Sequence, residues 1–324
     1  MHVAAGRARV AGICVGVLAD AVLGDPRRGH PVALFGRAAA ALERLTYRDD
    51  RRAGGLHTAA LLVAVGGAGV AADRAGGRSV VRTAATLGAA TFVAAGGTSL
   101  CRTGEQMAQL LEAGDIDGAR RLLPSLCGRD PAVLDAAGLT RAALESIAEN
   151  TSDAQVGPLV WAAVGGTPAV LMYRAANTLD AMIGNRSPRY ARFGWAAARI
   201  DDVANLLASR LTGLCVVVCA PVVGGSPLAA ARAWRRDAAK HPSPNAGVAE
   251  ASFAGALGVR LGGPTQYAHE LEIRPTLGDG RIPEVGDLAR AVRLSRAVQL
   301  LAAAVAMAGV SVAARSGRRA SARW

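Results

Sequence analysis

The chain has 324 residues, of which 51% are hydrophobic, only 19% charged and 4% aromatic, and it carries a net charge of +12 with a single lysine, Lys240. A soluble globular domain carries about a quarter charged residues, so this deficit, with a mean hydropathy of +0.25, argues against an ordinary soluble domain and for a chain embedded in a bilayer. The positive charge is spread over many loops without zinc-finger spacing or an aromatic–basic recognition motif, which argues against nucleic acid as a partner and leaves anionic lipid headgroups or an anionic substrate.

Apolar runs lie at 10–24, 56–72, 83–100, 156–173, 203–223 and 297–313. Several approach the roughly 20 residues that a helix needs to cross hydrocarbon. Arginines flank them (Arg51, Arg52, Arg74, Arg82, Arg102, Arg315, Arg318, Arg319), and glycines such as Gly66, Gly67 and Gly69 permit close helix approach. The expected fold is an all-α polytopic membrane protein, one domain over 1–314, with a basic disordered tail at 315–324. The first run resembles a cleavable signal peptide, but Asp20 and Gly24-Asp25-Pro26 favour a retained helix. Pro158, Gly165-Gly166 and Pro168 leave 156–173 open as a spanning or a re-entrant segment. A polar helical insertion is expected at 101–155, with helices over 117–123 and from an N-cap at Thr140. An amphipathic loop region fills 224–296, with helices near 227–239 and 285–296. The basic excess in loops 25–55, 101–155 and 224–296 favours a cytoplasmic side for them, a re-entrant 156–173 would change the side of every loop after it, and the expected location is the inner membrane.

The five cysteines, Cys14, Cys101, Cys127, Cys215 and Cys219, form no CxxC pair and imply neither a disulfide framework nor a zinc site. No P-loop, GxSxG or HExxH pattern is present.

Three polar constellations remain. Glu145, Glu149 and Asp153 recur at helical i, i+4 spacing without a basic i+4 partner, a row suited to a cation or to an ordinary solvated face. Arg174, Asn177 and Asp180, beside Tyr173 and Thr178, form a drifting polar stripe at the end of an apolar run, where ionisable groups are costly unless paired or functional. Arg199, Asp201, Asp202, Asn205 and Arg210 open the next run, with Asp201 and Asn205 as an i, i+4 pair. The loops Gly24-Asp25-Pro26 with His30-Pro31-Val32, and His241-Pro242-Ser243-Pro244-Asn245, are rigid by composition.

These segments, together with Gly128-Arg129-Asp130, Pro158-Leu159, Phe193-Gly194-Trp195 and Ser243-Pro244-Asn245-Ala246-Gly247 through Glu250 to Val259, stand in the order found in the adenosylcobinamide-phosphate synthase family. The chain resembles these CobD/CbiB-type membrane proteins over residues 18–265. Ala154-Gln155 and Ala249 depart from the usual pattern, and the stretch after Tyr267 is divergent. The resemblance implies an acid–amine ligase that joins the propionate carboxyl of adenosylcobyric acid, a corrinoid, to (R)-1-amino-2-propanol or its O-phosphate, with ATP and Mg²⁺ as the driving force. On that reading Glu149, Asp153 and Glu145 hold the metal, with Glu149 also catalytic. Asp180 or Asp202, or else His30, takes the amine proton, and Arg174, Arg199, Asn150, Asn177 and Asn245 bind substrate. A transporter, a scaffold for other corrin enzymes and a homo-oligomer stay open alternatives.

Overall fold

The computed structural model describes residues 2–26, 29–77, 79–185, 187–266 and 271–321. In chain order the elements are α1 (His2–Leu23), α2 (Pro31–Thr46), α3 (Arg51–Gly76), α4 (Val80–Ala94), α5 (Gly97–Glu112), α6 (Ile116–Leu122) and α7 (Ala136–Asn150). A π-helical turn (Thr151–Val156) leads into α8 (Gly157–Ile183), followed by α9 (Trp195–Cys219), α10 (Pro227–Asp237) and α11 (Ala246–Leu257). Strands β1 (Leu261–Gln266) and β2 (Leu271–Leu277) form an antiparallel hairpin, and α12 (Val285–Ser321) ends the described chain.

Short polar side chains satisfy the first N–H groups of many helices, as helix starts require. Asp50 caps α3, Ser79 α4, Asp115 α6, Asp135 α7 and Ser226 α10. Asp135 moves the start of α7 ahead of the expected cap, Thr140, whose hydroxyl instead donates to the Ala136 carbonyl at 2.8 Å. The hairpin was not legible as strands, because Gly262, Gly263 and Pro264 interrupt any alternating pattern. The basic tail expected to be disordered from Arg315 is helical as far as Ser321, and residues 322–324 lie outside the described residues.

Among the described residues, five helical stretches are long and apolar enough to cross a membrane: Arg51–Gly76, Val80–Glu112, Ala136–Ile183, Trp195–Val223 and Val285–Ser316. Val63, Leu214, Val218, Leu300 and Val312 on these stretches are more than half exposed, the surface that hydrocarbon covers. The protein is therefore an all-α, multi-pass membrane protein. The first apolar run lies in α1, which carries Arg7, Arg9 and Asp20 and is not among the five.

The chain packs as two units, residues 1–96, 157–205 and 303–324 in the first and 97–156 and 206–302 in the second. The core of the first gathers Leu61 and Leu62 of α3, Ala175, Ala176, Leu179 and Ile183 of α8, and Phe193. A side chain on Gly69 would run into Pro168, so this glycine sets the α3–α8 approach. Helix α8 is interrupted at Gly166 (φ 68°, ψ −150°) and resumes to Ile183. At the break, Arg9 of α1 supplies a donor: its Nη1 lies 3.1 Å from the Ala163 oxygen and 3.4 Å from that of Val164. In the second unit every residue of α11 is buried, and Arg290 donates to the carbonyls of Leu257 and Val223 beyond its end. Thr151 and Gln155 of the π-helical turn both donate to buried Ser295, at 2.7 and 2.9 Å.

Candidate functional site

Within the second unit, α7, the hairpin and α11 bring their acids and bases together. Glu145 is buried; its Oε2 pairs with buried Arg129, and its Oε1 accepts the Gly262 N–H at 2.7 Å. A bulge at Leu261/Gly263, with Gly262 at φ +86°, frees that N–H from the ladder. Arg141, one turn before Glu145, donates to the Gly262 carbonyl at 2.7 Å from the same helix face.

Glu250 sits mid-way along α11 and is 1% exposed. Its Oε1 is 3.7 Å from His241 Nε2 and 3.8 Å from Arg274 Nη1, and among the described residues neither carboxyl oxygen has a hydrogen-bond partner. Burial pushes the Glu250 carboxyl well above the usual carboxylate range; the fields of Glu145 and Glu149 add to this, while Arg274 and Arg129 oppose it. The His241 ring is held below its ordinary value, first by burial and then by Arg274. Its Nδ1 lies 3.0 Å from the Ser243 N and 3.2 Å from the Ser243 carbonyl oxygen, and its Nε2 lies 3.5 Å from Arg274 Nη1.

Glu149, one turn after Glu145, is partly exposed. Asn150 is tied back to Ser146, donating to its carbonyl at 2.9 Å. Asn245, ahead of α11, accepts from Ser209 at 2.9 Å and Arg210 at 2.8 Å, which fixes its amide orientation. Asp153 falls in the π-helical turn that follows α7. Glu145 is committed to Arg129 and Gly262, and among the described residues no three His, Cys, Asp or Glu side chains gather closely enough to hold a metal ion. A Mg²⁺ that arrives with substrate phosphate would need one or two carboxylates, which leaves Glu149 and Asp153.

The first unit holds the other candidates. A relay of side-chain hydrogen bonds joins α8 to α9. Arg174 Nη1 donates to Asn177 Oδ1 at 3.3 Å, Asn177 Nδ2 to Asp201 Oδ1 at 3.4 Å and Asn205 Nδ2 to Asp201 Oδ2 at 3.0 Å. Tyr173 then donates to Asn205 Oδ1 at 2.7 Å. The Asp201–Asn205 pair expected from spacing is thus present. Arg199 and Asp202 form an i, i+3 pair at 3.4 Å. Asp180 is partly exposed near the end of α8. His30 caps α2, accepting the Val32 N–H at 3.1 Å, with its Nε2 3.4 Å from Asp25 Oδ1; Pro31 at the first helical position fits this start.

Four residues at the second-unit cluster, Arg129, His241, Glu250 and Arg274, were not singled out as site residues from sequence. Arg129 and Glu250 lie inside motif segments and were within reach. Arg274 sits on the divergent β2, where no local pattern marks it.

The CobD/Cbib protein family model matches residues 13–295. The chain is similar to a cobalamin biosynthesis protein CobD from Mycobacterium tuberculosis, 66% identical over 92% of this chain and 95% of the relative. Proteins of the same name from Geobacter metallireducens (42% identical over 82% of this chain and 86% of the relative) and Chromobacterium violaceum (39% over 91% and 94%) are also similar. No solved structure matches the chain. A family match across most of the sequence and identities of this size leave one conclusion: the chain belongs to the CobD/Cbib protein family.

Proposed function

We propose that this protein acts in cobalamin biosynthesis, at the inner membrane, as an acid–amine ligase. It joins the free carboxyl of adenosylcobyric acid to (R)-1-amino-2-propanol or its O-phosphate, with Mg-ATP as co-substrate. The observation that carries the pathway is the 66% identity, over 92% of the chain, to a relative named for cobalamin biosynthesis. Support for amide chemistry comes from the second unit, where carboxyls of unequal environment (Glu145, Glu149, Glu250) lie among guanidiniums. Joining an ammonium to a carboxyl needs two protons to leave the nitrogen and the transferred phosphoryl charge to be neutralised, tasks that carboxylates and arginines perform. Arg129 and Glu145 hold each other and are the fixed part of this arrangement; Glu149 and Glu250 are the acids left for chemistry.

The break in α8 at Gly166 favours a second reading, since interrupted helices with open carbonyls form ion sites in transporters. Arg9 answers part of it, because its guanidinium occupies the carbonyls of Ala163 and Val164 that a transported cation would need.

A strain lacking the gene tests the proposal. Growth that depends on cobalamin should return with fed cobinamide and not with fed adenosylcobyric acid. Rescue by adenosylcobyric acid places the lesion elsewhere and sinks the assignment.

A further inference from the structure

Where α3 and α9 begin, the first unit carries a rim of arginines that the proposed chemistry does not use. Arg48, Arg51 and Arg52 are exposed, and among the described residues no acid pairs with their side chains. The acids nearby are engaged elsewhere. Asp50 caps α3 through the N–H groups of Arg52 and Ala53, and Asp49 lies 4.0 Å from Arg192. Glu43, buried beneath the rim, accepts from Arg189 at 2.9 Å and Tyr190 at 3.1 Å. The first turn of α3 thus holds two arginines and no acid, against the preference that the helix dipole sets. Guanidiniums gathered in this way repel one another unless an anion joins them.

The two helices start side by side. A side chain on Gly54 would run into the Phe193 carbonyl, and one on Gly55 would touch Ala196 at 4.0 Å. Arg51 lies over the Trp195 ring, 5.4 Å from its centroid, which holds a guanidinium beside an indole that is itself 45% exposed. Arg48 belongs to the α2–α3 corner, where the Tyr47 ring packs on Phe193. Past the rim the surface turns apolar on both helices. Leu56, one turn after Arg52, and Val63, two turns further, are exposed on α3, as is Val203, two turns after Trp195, on α9. Guanidinium, aromatic ring and apolar face therefore follow one another in the order of headgroup, interface and hydrocarbon in a bilayer.

We infer that Arg48, Arg51 and Arg52, with Trp195, form a docking site for an anionic phospholipid of the bilayer. Its phosphate lies among the guanidiniums, whose planar N–H forks match phosphate oxygens. Its acyl chains lie on Leu56, Val63 and Val203. Continuity of the rim with that apolar face selects a lipid over a soluble anion, which would leave the face uncovered. Net charge selects an anionic lipid, because a zwitterionic headgroup brings an ammonium of its own to a rim already rich in cations. The site is independent of the amide-forming reading above.

The test uses the full chain in detergent, with phosphatidylglycerol and phosphatidylcholine of identical acyl chains as probes and native mass spectrometry as the readout. Wild type should hold phosphatidylglycerol at least about 10-fold more tightly than phosphatidylcholine. The variant Arg48→Gln/Arg51→Gln/Arg52→Gln should lose about that factor for phosphatidylglycerol and keep its affinity for phosphatidylcholine. Arg121→Gln/Arg232→Gln/Arg235→Gln removes the same charge from exposed positions of the second unit and should change neither affinity. Glycerol phosphate, the headgroup without chains, should not displace the bound lipid. If the rim variant does not fold, fluorescence decides: phosphatidylglycerol brominated in its acyl chains should quench wild type more than Trp195→Phe. Equal phosphatidylglycerol affinity in wild type and rim variant, or quenching unchanged by Trp195→Phe, overturns the site. An equal loss in the second-unit variant reduces the effect to net charge and overturns it too. Displacement by glycerol phosphate gives the rim to a soluble anion and overturns the lipid.

Discussion

Glu145 Oε1 accepts the backbone N–H of Gly262 at 2.7 Å, so a carboxylate on a helix is fastened to the β1 residue that the register shift leaves out of the β1–β2 ladder. Arg129 closes the other side of the carboxylate, and both partners of that ion pair are at most 6% exposed. Breaking such a pair leaves an uncompensated buried charge and costs about 3–5 kcal/mol. Glu145→Ala should therefore lower the melting temperature of the detergent-solubilised protein and open residues 261–277 to hydrogen exchange. Hairpin protection equal to wild type would contradict this anchoring role.

The charge on Glu250 bears on stability as well as on chemistry. Its folded pKa is raised, so the fold favours the protonated acid, and this contribution is complete below the unfolded value near 4.3. It is lost as pH rises toward the folded value, with a slope of at most about 1.4 kcal/mol per pH unit. Glu250→Gln, which cannot ionise, should melt higher than wild type at neutral and alkaline pH, with the difference shrinking toward pH 4–5. A stabilised but inactive variant is the signature of a group kept for function at the expense of the fold. Equal melting at all pH values would remove the strain argument.

Asp237 behaves in the opposite sense. Arg236 holds its carboxyl below the usual range, helped by Lys240 and by the Gly278 N–H at 2.9 Å, which ties the end of α10 to the residue after β2. A depressed folded value means that stability is present above the unfolded value near 3.9 and fades as pH falls below it. Asp237→Asn should cost about 1.5–3 kcal/mol at pH 7, the scale of a hydrogen bond to a charged group, and should flatten the acid limb of a melting curve taken from pH 6 to 2. A limb unchanged by the substitution would count against it.

The interruption of α8 is a matter of backbone conformation. Gly166 occupies φ 68°, where a side chain is strained, with Arg9 beside it. Gly166→Ala should destabilise by about 1–3 kcal/mol, and Arg9→Ala should cost less because water or lipid headgroups can replace one donor. If Gly166→Ala melts as wild type does, the interruption is not a requirement of the fold.

Much of this organisation was legible in the residues. Spacing alone put Asn205 one turn from Asp201, and the hydrogen bond at 3.0 Å follows from α-helical geometry. Apolar length marked the membrane helices for the same reason: hydrocarbon thickness is a sequence-readable ruler. Three features were not legible. The π-helical turn at Thr151–Val156 widens the winding where α-helical counting would continue unchanged. The hairpin has glycines and a proline where strands show alternation, so its bulge, and with it the partner of Glu145, has no periodic signal. Glu250 reads locally as one acid in an apolar stretch; its meaning depends on Arg274 and His241, which only tertiary packing brings to it.

The most direct test of the central claim is chemical. Purified full-length protein in detergent would be given adenosylcobyric acid, Mg-ATP and either 1-amino-2-propanol or its O-phosphate, with products read by mass spectrometry. The account predicts a corrinoid heavier by one amine less one water, dependent on ATP and formed with at least one of the two amines. Folded protein that binds the corrinoid and yields no such product with either amine would contradict it.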